Sequence, residues 1–184
     1  MTSVDWSLDG ETLQANSQAA ELRWGNLQGE VKASAAKHME FATCNSRFAW
    51  DTQGIWPGVD YTDVNSVDRS KNGTVLATGD DFGQVNLFRY PCVVEKAESR
   101  EYFGHSSHVT KVRFSADDKF LVSTGGNDLT VMVWSTDINQ GADEAEPQVQ
   151  ADYGEDPDDP AFETKVNRYK QQKEDAAIEK QKQF

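Results

Sequence analysis

GHSSHVTKVRFSADDKFLVSTGGNDLTVMVW, residues 104–134, decides the fold. It holds three β-branched or aromatic runs separated by clusters of Ser, Asp, Gly and Asn, which is the pattern of strand, turn, strand, turn, strand. Two further stretches repeat its first half. VDWSLDGETLQANS starts at Val4, VDRSKNGTVLATGD at Val67 and VRFSADDKFLVSTG at Val112, with offsets of 63 and 45 residues. Val4, Val67 and Val112 correspond, as do Ser7, Ser70 and Ser115, and Leu13, Leu76 and Leu121. Asp9-Gly10, Asn72-Gly73 and Asp117-Asp118 supply the side-chain acceptors or the positive φ that tight turns need. The third strands are AELRW, QVNLFRY and TVMVW.

Internal repeats with a period near 45 residues, Gly104-His105 ahead of the unit and Trp134 at its end point to WD40-type β-propeller blades. The expected fold class is therefore all-β, a partial propeller of about two to three blades. The closing Asp of the WD pair is missing, since Ser135 follows Trp134. His105, Thr124, Asp128 and Trp134 stand where such blades place a buried hydrogen-bonded chain of His, Ser or Thr, Asp and Trp. A catalytic reading of that set is outweighed by its blade spacing. The middle unit has Phe88 in place of the Trp, and the first unit ends at Trp24 without a matching Asp. Residues 25–63 predict a fourth strand near 31–35 and a first strand of the next blade near 39–50. Met39, Phe41, Phe48, Trp50 and Trp56 read as core aromatic and apolar positions or as a partner-contacting patch, and Trp56-Pro57-Gly58 as a turn.

Among 184 residues, 18 Lys and Arg face 31 Asp and Glu, a net charge of −13 that argues against nucleic-acid binding. The charge is segregated. Residues 1–137 carry 12 basic and 19 acidic side chains, and 143–159 carry eight acids and no base. Residues 165–182 carry six bases and three acids. This divides the chain into a blade region 1–137, an acidic flexible spacer 138–160 and a charged tail 161–184. Asp159 and Pro160 suit a helix start, and Phe162, Val166 and Tyr169 fall on one helical face, expected to contact a partner, with a disordered end or a helix folded back on its own blade as alternatives. No apolar run is long enough to span a membrane.

No catalytic, cofactor or metal site is expected. Cys44 and Cys92 are far apart, and with His38, His105 and His108 they form no metal-ligand spacing. GDDFG at 79–83 precedes a strand instead of a helix, so the phosphate-loop context is lacking, and Asp80-Asp81 reads as a turn presenting acid to solvent. Partner contacts are expected at loops on one end of the blades: Ser106, Ser107 and His108, with Asp60, Tyr61 and Asp63.

GIWPG, YTDVNSVDRSKNGTVLATGDDFGQVNLFRYPC and the opening stretch together closely resemble the C-terminal end of the echinoderm microtubule-associated protein-like family over residues 1–137. That resemblance implies atypical tandem propellers and a microtubule-associated scaffold, with the ciliary axoneme as its expected setting and cytoplasmic and cytoskeletal localisation. Expected partners are tubulin, microtubules or microtubule-associated proteins, together with the remainder of the propeller from the same or another chain. A general WD-repeat adaptor in a soluble complex is the alternative. An enzyme, a nucleic-acid binder and a membrane protein are not expected.

Overall fold

The computed structural model describes residues 1–56 and 63–138. Three antiparallel sheets follow one another along the chain. The first contains β1 (Ser3–Trp6), β2 (Leu13–Asn16), β3 (Leu22–Asn26) and β4 (Gly29–Val31). The second contains β5 (Val64–Arg69), β6 (Val75–Asp80), β7 (Gln84–Arg89) and β8 (Arg100–Phe103). The third contains β9 (Val109–Phe114), β10 (Phe120–Gly125) and β11 (Val131–Ser135). Each sheet is a meander in which consecutive strands pair, the architecture of a propeller blade.

The repeated serine explains why every unit begins with the same hairpin. Ser7, Ser70 and Ser115 donate their hydroxyls to Asp9, Asn72 and Asp117 at 2.5, 2.7 and 2.7 Å. The same hydroxyls accept the amides of Thr12, Val75 and Phe120 at 2.9, 3.0 and 3.0 Å. One side chain thus satisfies the start of the second strand and orients the turn acceptor. The turn then requires a left-handed residue, which is Gly10 (φ 75°), Gly73 (φ 71°) and Asp118 (φ 55°). The second turns share a left-handed position too, at Ala20 (φ 61°), Gly83 (φ 80°) and Leu129 (φ 53°).

Pairing register corrects the reading of the first unit. Leu76 stands opposite Phe88 and Leu121 opposite Trp134, but Leu13 stands opposite Gly25. Trp24 is one residue out of phase, so strand alternation sends it to the other face. There it is buried and stacks on Trp50 at 6.4 Å.

The segment between the first two sheets also differs from expectation. The expected fourth strand is present but lies at Gly29–Val31 instead of 31–35, and α1, a single turn, covers Ala33–Ala36. Residues 39–50 are not a strand: they make one bridge, Phe41 with Ser7, and lead into a 3-10 turn over Trp50–Ile55. Side chains take up much of this segment's backbone. Asp5 accepts the amides of Asn45 and Ser46 at 2.8 and 2.9 Å, and Asn16 both accepts the Phe48 amide and donates to its carbonyl. Phe48 stacks on Trp56 at 4.7 Å, and Trp56 is buried with Cys44, Ile55, Val67, Leu76, Phe88 and Cys92. Of the apolar residues expected as core or contact positions, Trp56 is core and Phe48 packs against it, while Met39, Phe41 and Trp50 are half-buried.

Sheets two and three share a second core of Ala77, Val85, Val109, Val112, Phe114 and Leu121. Two carboxylates span the boundary. Asp68 accepts the Phe114 amide at 2.7 Å and Arg113 Nη1 at 2.9 Å, while Asp118 accepts the amides of Lys71 and Asn72, each at 2.8 Å. Burial raises Asp68 above the ordinary carboxylate range, against the opposing pull of the Phe114 amide and Arg113.

Candidate functional site: the His105 network and the loop it anchors

His105 lies just past β8, on the link that carries the chain into β9. Its side chain is fully buried, so both ring nitrogens require partners. Nε2 lies 2.7 Å from Ser123 Oγ, and Trp134 Nε1 donates to the same oxygen at 2.8 Å. Nδ1 lies 3.0 Å from Asp128 Oδ2 and 2.8 Å from Thr130 Oγ1. An indole nitrogen only donates and a carboxylate only accepts, which sets the direction of the chain. Protons point from Trp134 to Ser123, from Ser123 to His105 Nε2 and from His105 Nδ1 to Asp128.

Thr124 is not in this chain, a correction to the sequence expectation. Ser123 and Thr124 are consecutive in β10, so only one can face His105. Thr124 faces the other way, with Oγ1 2.8 Å from Thr110 Oγ1. Thr130 joins the chain at Nδ1, and no residue type of the repeat pattern marks it in the sequence.

Gly104 supplies the space the network needs. A Cβ there would sit 2.6 Å from Met132 Sδ and 2.9 Å from the far edge of the Trp134 ring. Asp128 also fixes the loop, accepting the amides of Ser106 at 3.1 Å and Thr130 at 3.2 Å. Burial acts to raise the Asp128 carboxyl, but hydrogen bonds from Thr130, His105 and Ser106 outweigh it and hold the group below the ordinary range. The loop rests on sheet two at Gly83, where a Cβ would lie 2.5 Å from the His105 carbonyl oxygen and 3.0 Å from that of Ser107.

The candidate contact residues separate on this frame. Ser106 is exposed, whereas Ser107 and His108 are half-buried and bonded to each other at 3.1 Å. Asp63 is half-buried. Asp60, Tyr61, Phe162, Val166 and Tyr169, with the spacer and tail, lie outside the described residues. Asp80 does not present acid to solvent: it is buried and accepts the amides of Phe82 and Gln84 at 2.9 and 2.8 Å, plus Asn86 Nδ2 at 3.1 Å. Asp81 is exposed at that turn. Phe82 and Leu129, on the turns flanking the anchored loop, are exposed apolar residues that composition alone did not single out.

A second polar cluster ties the inter-sheet segment to sheet two. Tyr90 donates to Asp51, Arg69 Nη1 donates to Tyr90 Oη at 3.2 Å, and Arg69 Nη2 donates to the Phe41 carbonyl at 2.8 Å. Burial raises the Asp51 carboxyl, partly offset by Tyr90. Burial and the adjacent Asp51 push the Tyr90 phenol up. Among the described residues no group of three or more His, Cys, Asp or Glu is placed to hold a metal ion.

Three blade-like sheets, a buried His-Ser-Trp-Asp chain and side-chain clusters that join segment to segment define a repeat protein of the WD type. Residues 1–136 match the echinoderm microtubule-associated protein second beta-propeller. The chain belongs to that family. It is 45% identical over 139 residues to the 77 kDa echinoderm microtubule-associated protein of Lytechinus variegatus, covering 73% of this chain and 21% of that one. The corresponding protein of Strongylocentrotus purpuratus is also 45% identical, with 73% and 20% covered. Human echinoderm microtubule-associated protein-like 3 is 43% identical, with 73% and 16% covered. The chain therefore spans about a fifth or less of the length of these relatives.

Proposed function

We propose that the chain is part of a microtubule-associated scaffold of the cytoskeleton, with the ciliary axoneme as its setting. The family match over residues 1–136 carries this reading, because relatives so similar are named for microtubule association. The working surface is the end that bears Ser106, Phe82 and Leu129, held by His105, Asp128 and Gly83. Tubulin or another microtubule-associated protein is the partner. Residues 1–137 carry 12 basic against 19 acidic side chains, so attachment to an acidic lattice uses local contacts or an intermediary protein instead of net charge. That same imbalance favours the second reading, an adaptor for a soluble complex.

Co-sedimentation with stabilised microtubules decides between the two, using the chain within a complete propeller, with and without residues 138–184. Retention in either form supports the scaffold. Loss of both forms into the supernatant overturns it and leaves the adaptor. Expression of a tagged chain in ciliated cells tests the axonemal setting, which fails if the tag is absent from axonemes.

A further inference from the structure

Thr78 and Asn86 stand directly opposite each other in β6 and β7, so their side chains share one face of sheet two. Thr78 is 1% exposed, yet its Oγ1 finds no hydrogen-bond partner among the described residues, and neither does the buried Oδ1 of Asn86. Sheet three shows the reason. Thr78 holds the repeat position of Ser123, and Phe88 that of Trp134, so the indole N–H that donates to Ser123 has no counterpart here. Asn86 holds the position of Met132 and brings a second oxygen to the same face. Buried polar atoms are seldom left unpaired.

Asn86, with Phe88 and Trp56, lines a cleft of about 560 Å³. The described residues around that cleft carry four carboxylates, among them Asp80, Glu98 and Glu101, against a single lysine. Glu98 and Glu101 are exposed at its rim. Asn86 Nδ2 donates to Asp80 Oδ2 at 3.1 Å, so the oxygen of that amide is the atom still to be paired. Such a site takes hydrogen-bond donors and positive charge beside an apolar wall. A carboxylate offers neither, and residue 60, at the repeat position of His105, is Asp and lies outside the described residues.

We infer that this cleft binds an arginine side chain from a basic segment of a partner protein. A guanidinium has five N–H donors in a planar fork and no acceptor. It can donate to Asn86 Oδ1 and Thr78 Oγ1 while its charge meets the rim carboxylates and its methylenes cover Phe88. A lysine ammonium is a compact, strongly hydrated point charge and addresses separate acceptors less well. This binding is independent of microtubule attachment.

The test uses the full chain and a fluorescein-labelled peptide of alternating arginine and glycine. Anisotropy is read at about 150 mM salt, where distant surface charges are screened. The expected result is binding, with slowed amide exchange across residues 96–101. Citrulline in place of arginine should weaken it about tenfold or more, the loss of a hydrogen bond to a charged group. Thr78→Val should also weaken it about tenfold, and without peptide should raise the melting temperature, because a methyl replaces an unpaired hydroxyl. Asn86→Leu and the joint change Glu98→Gln with Glu101→Gln should lower affinity as well. Glu11→Gln with Glu40→Gln, exposed acids away from the cleft, should not. The cleft is not an arginine site if the peptide fails to bind, if citrulline binds equally well, or if Thr78→Val leaves affinity unchanged. Binding seen only after removal of residues 138–184 equally overturns it, since the chain's own tail is then the occupant.

Discussion

Asp118 of the third sheet accepts the Lys71 amide of the second sheet at 2.8 Å, from a turn position that the other two units give to glycine. A left-handed conformation costs an L residue about 1–2 kcal/mol, less for Asp, whereas each hydrogen bond to a charged group contributes about 1.5–3 kcal/mol. Asp118 makes a second such bond to the Asn72 amide. The bonds outweigh the strain. Asp118→Gly is therefore expected to destabilise the protein by about 1–3 kcal/mol in denaturant unfolding, although it introduces the residue the turn itself prefers.

Ser123 and Thr124 provide a test by adjacency. Ser123→Ala leaves the Trp134 indole and His105 Nε2 buried without their shared partner, a loss of about 1–3 kcal/mol. Thr124→Ala removes only an exposed hydroxyl contact and should change stability by about 0.5 kcal/mol or less. Equal effects in thermal unfolding would contradict the network as described.

The second-turn position allows opposite outcomes from related substitutions. Gly83→Ala adds a Cβ 2.5 Å from a backbone oxygen at φ 80°, so it should cost at least about 2 kcal/mol. Leu129 occupies the equivalent position at φ 53° with its side chain almost wholly exposed. Leu129→Gly removes strain of about 1–2 kcal/mol against a glycine entropy cost of about 0.5–1 kcal/mol. The melting temperature should rise for Leu129→Gly and fall for Gly83→Ala.

Both thiols should be protected in the native protein. Burial pushes Cys92 up to about 11 and Cys44 well above its ordinary value. At pH 8 iodoacetamide should modify neither in the folded chain and both after denaturation, as read by mass spectrometry. The sign for stability follows from linkage. The raised thiols contribute stability that is complete below the unfolded thiol value of about 8.5 and declines as pH rises toward 11.

The three Val-Ser-Leu units were legible because one serine performs the same local task each time, and local chemistry survives in sequence. His105, Asp128 and Trp134 were legible for the same reason, being fixed relative to turns. Thr124 and Trp24 were misplaced by a single residue, which in a strand reverses the face. Residues 39–50 suggest a strand by their apolar content alone. Their hydrogen-bonding partners, Asp5 and Asn16, are side chains some 30 to 40 residues away, as the separations of 32, 40 and 41 record. No window of local sequence contains that information. Leu129 carries no signal in the sequence, because an exposed leucine is ordinary and only its positive φ sets it apart.

β11 pairs with β10 along one side, and among the described residues no strand lies along its other side. Val131 and Val133 project from it largely exposed. A row of free amides and carbonyls on a β-branched strand does not discriminate among extended backbones; it templates whichever arrives first. Wherever that edge is left uncovered, correct assembly competes with self-association. Dilution favours the former when the proper neighbour is tethered, and concentration favours the latter when it is not. Purification yield should accordingly depend on how early the neighbouring strand is present, more than on the stability of the three sheets themselves.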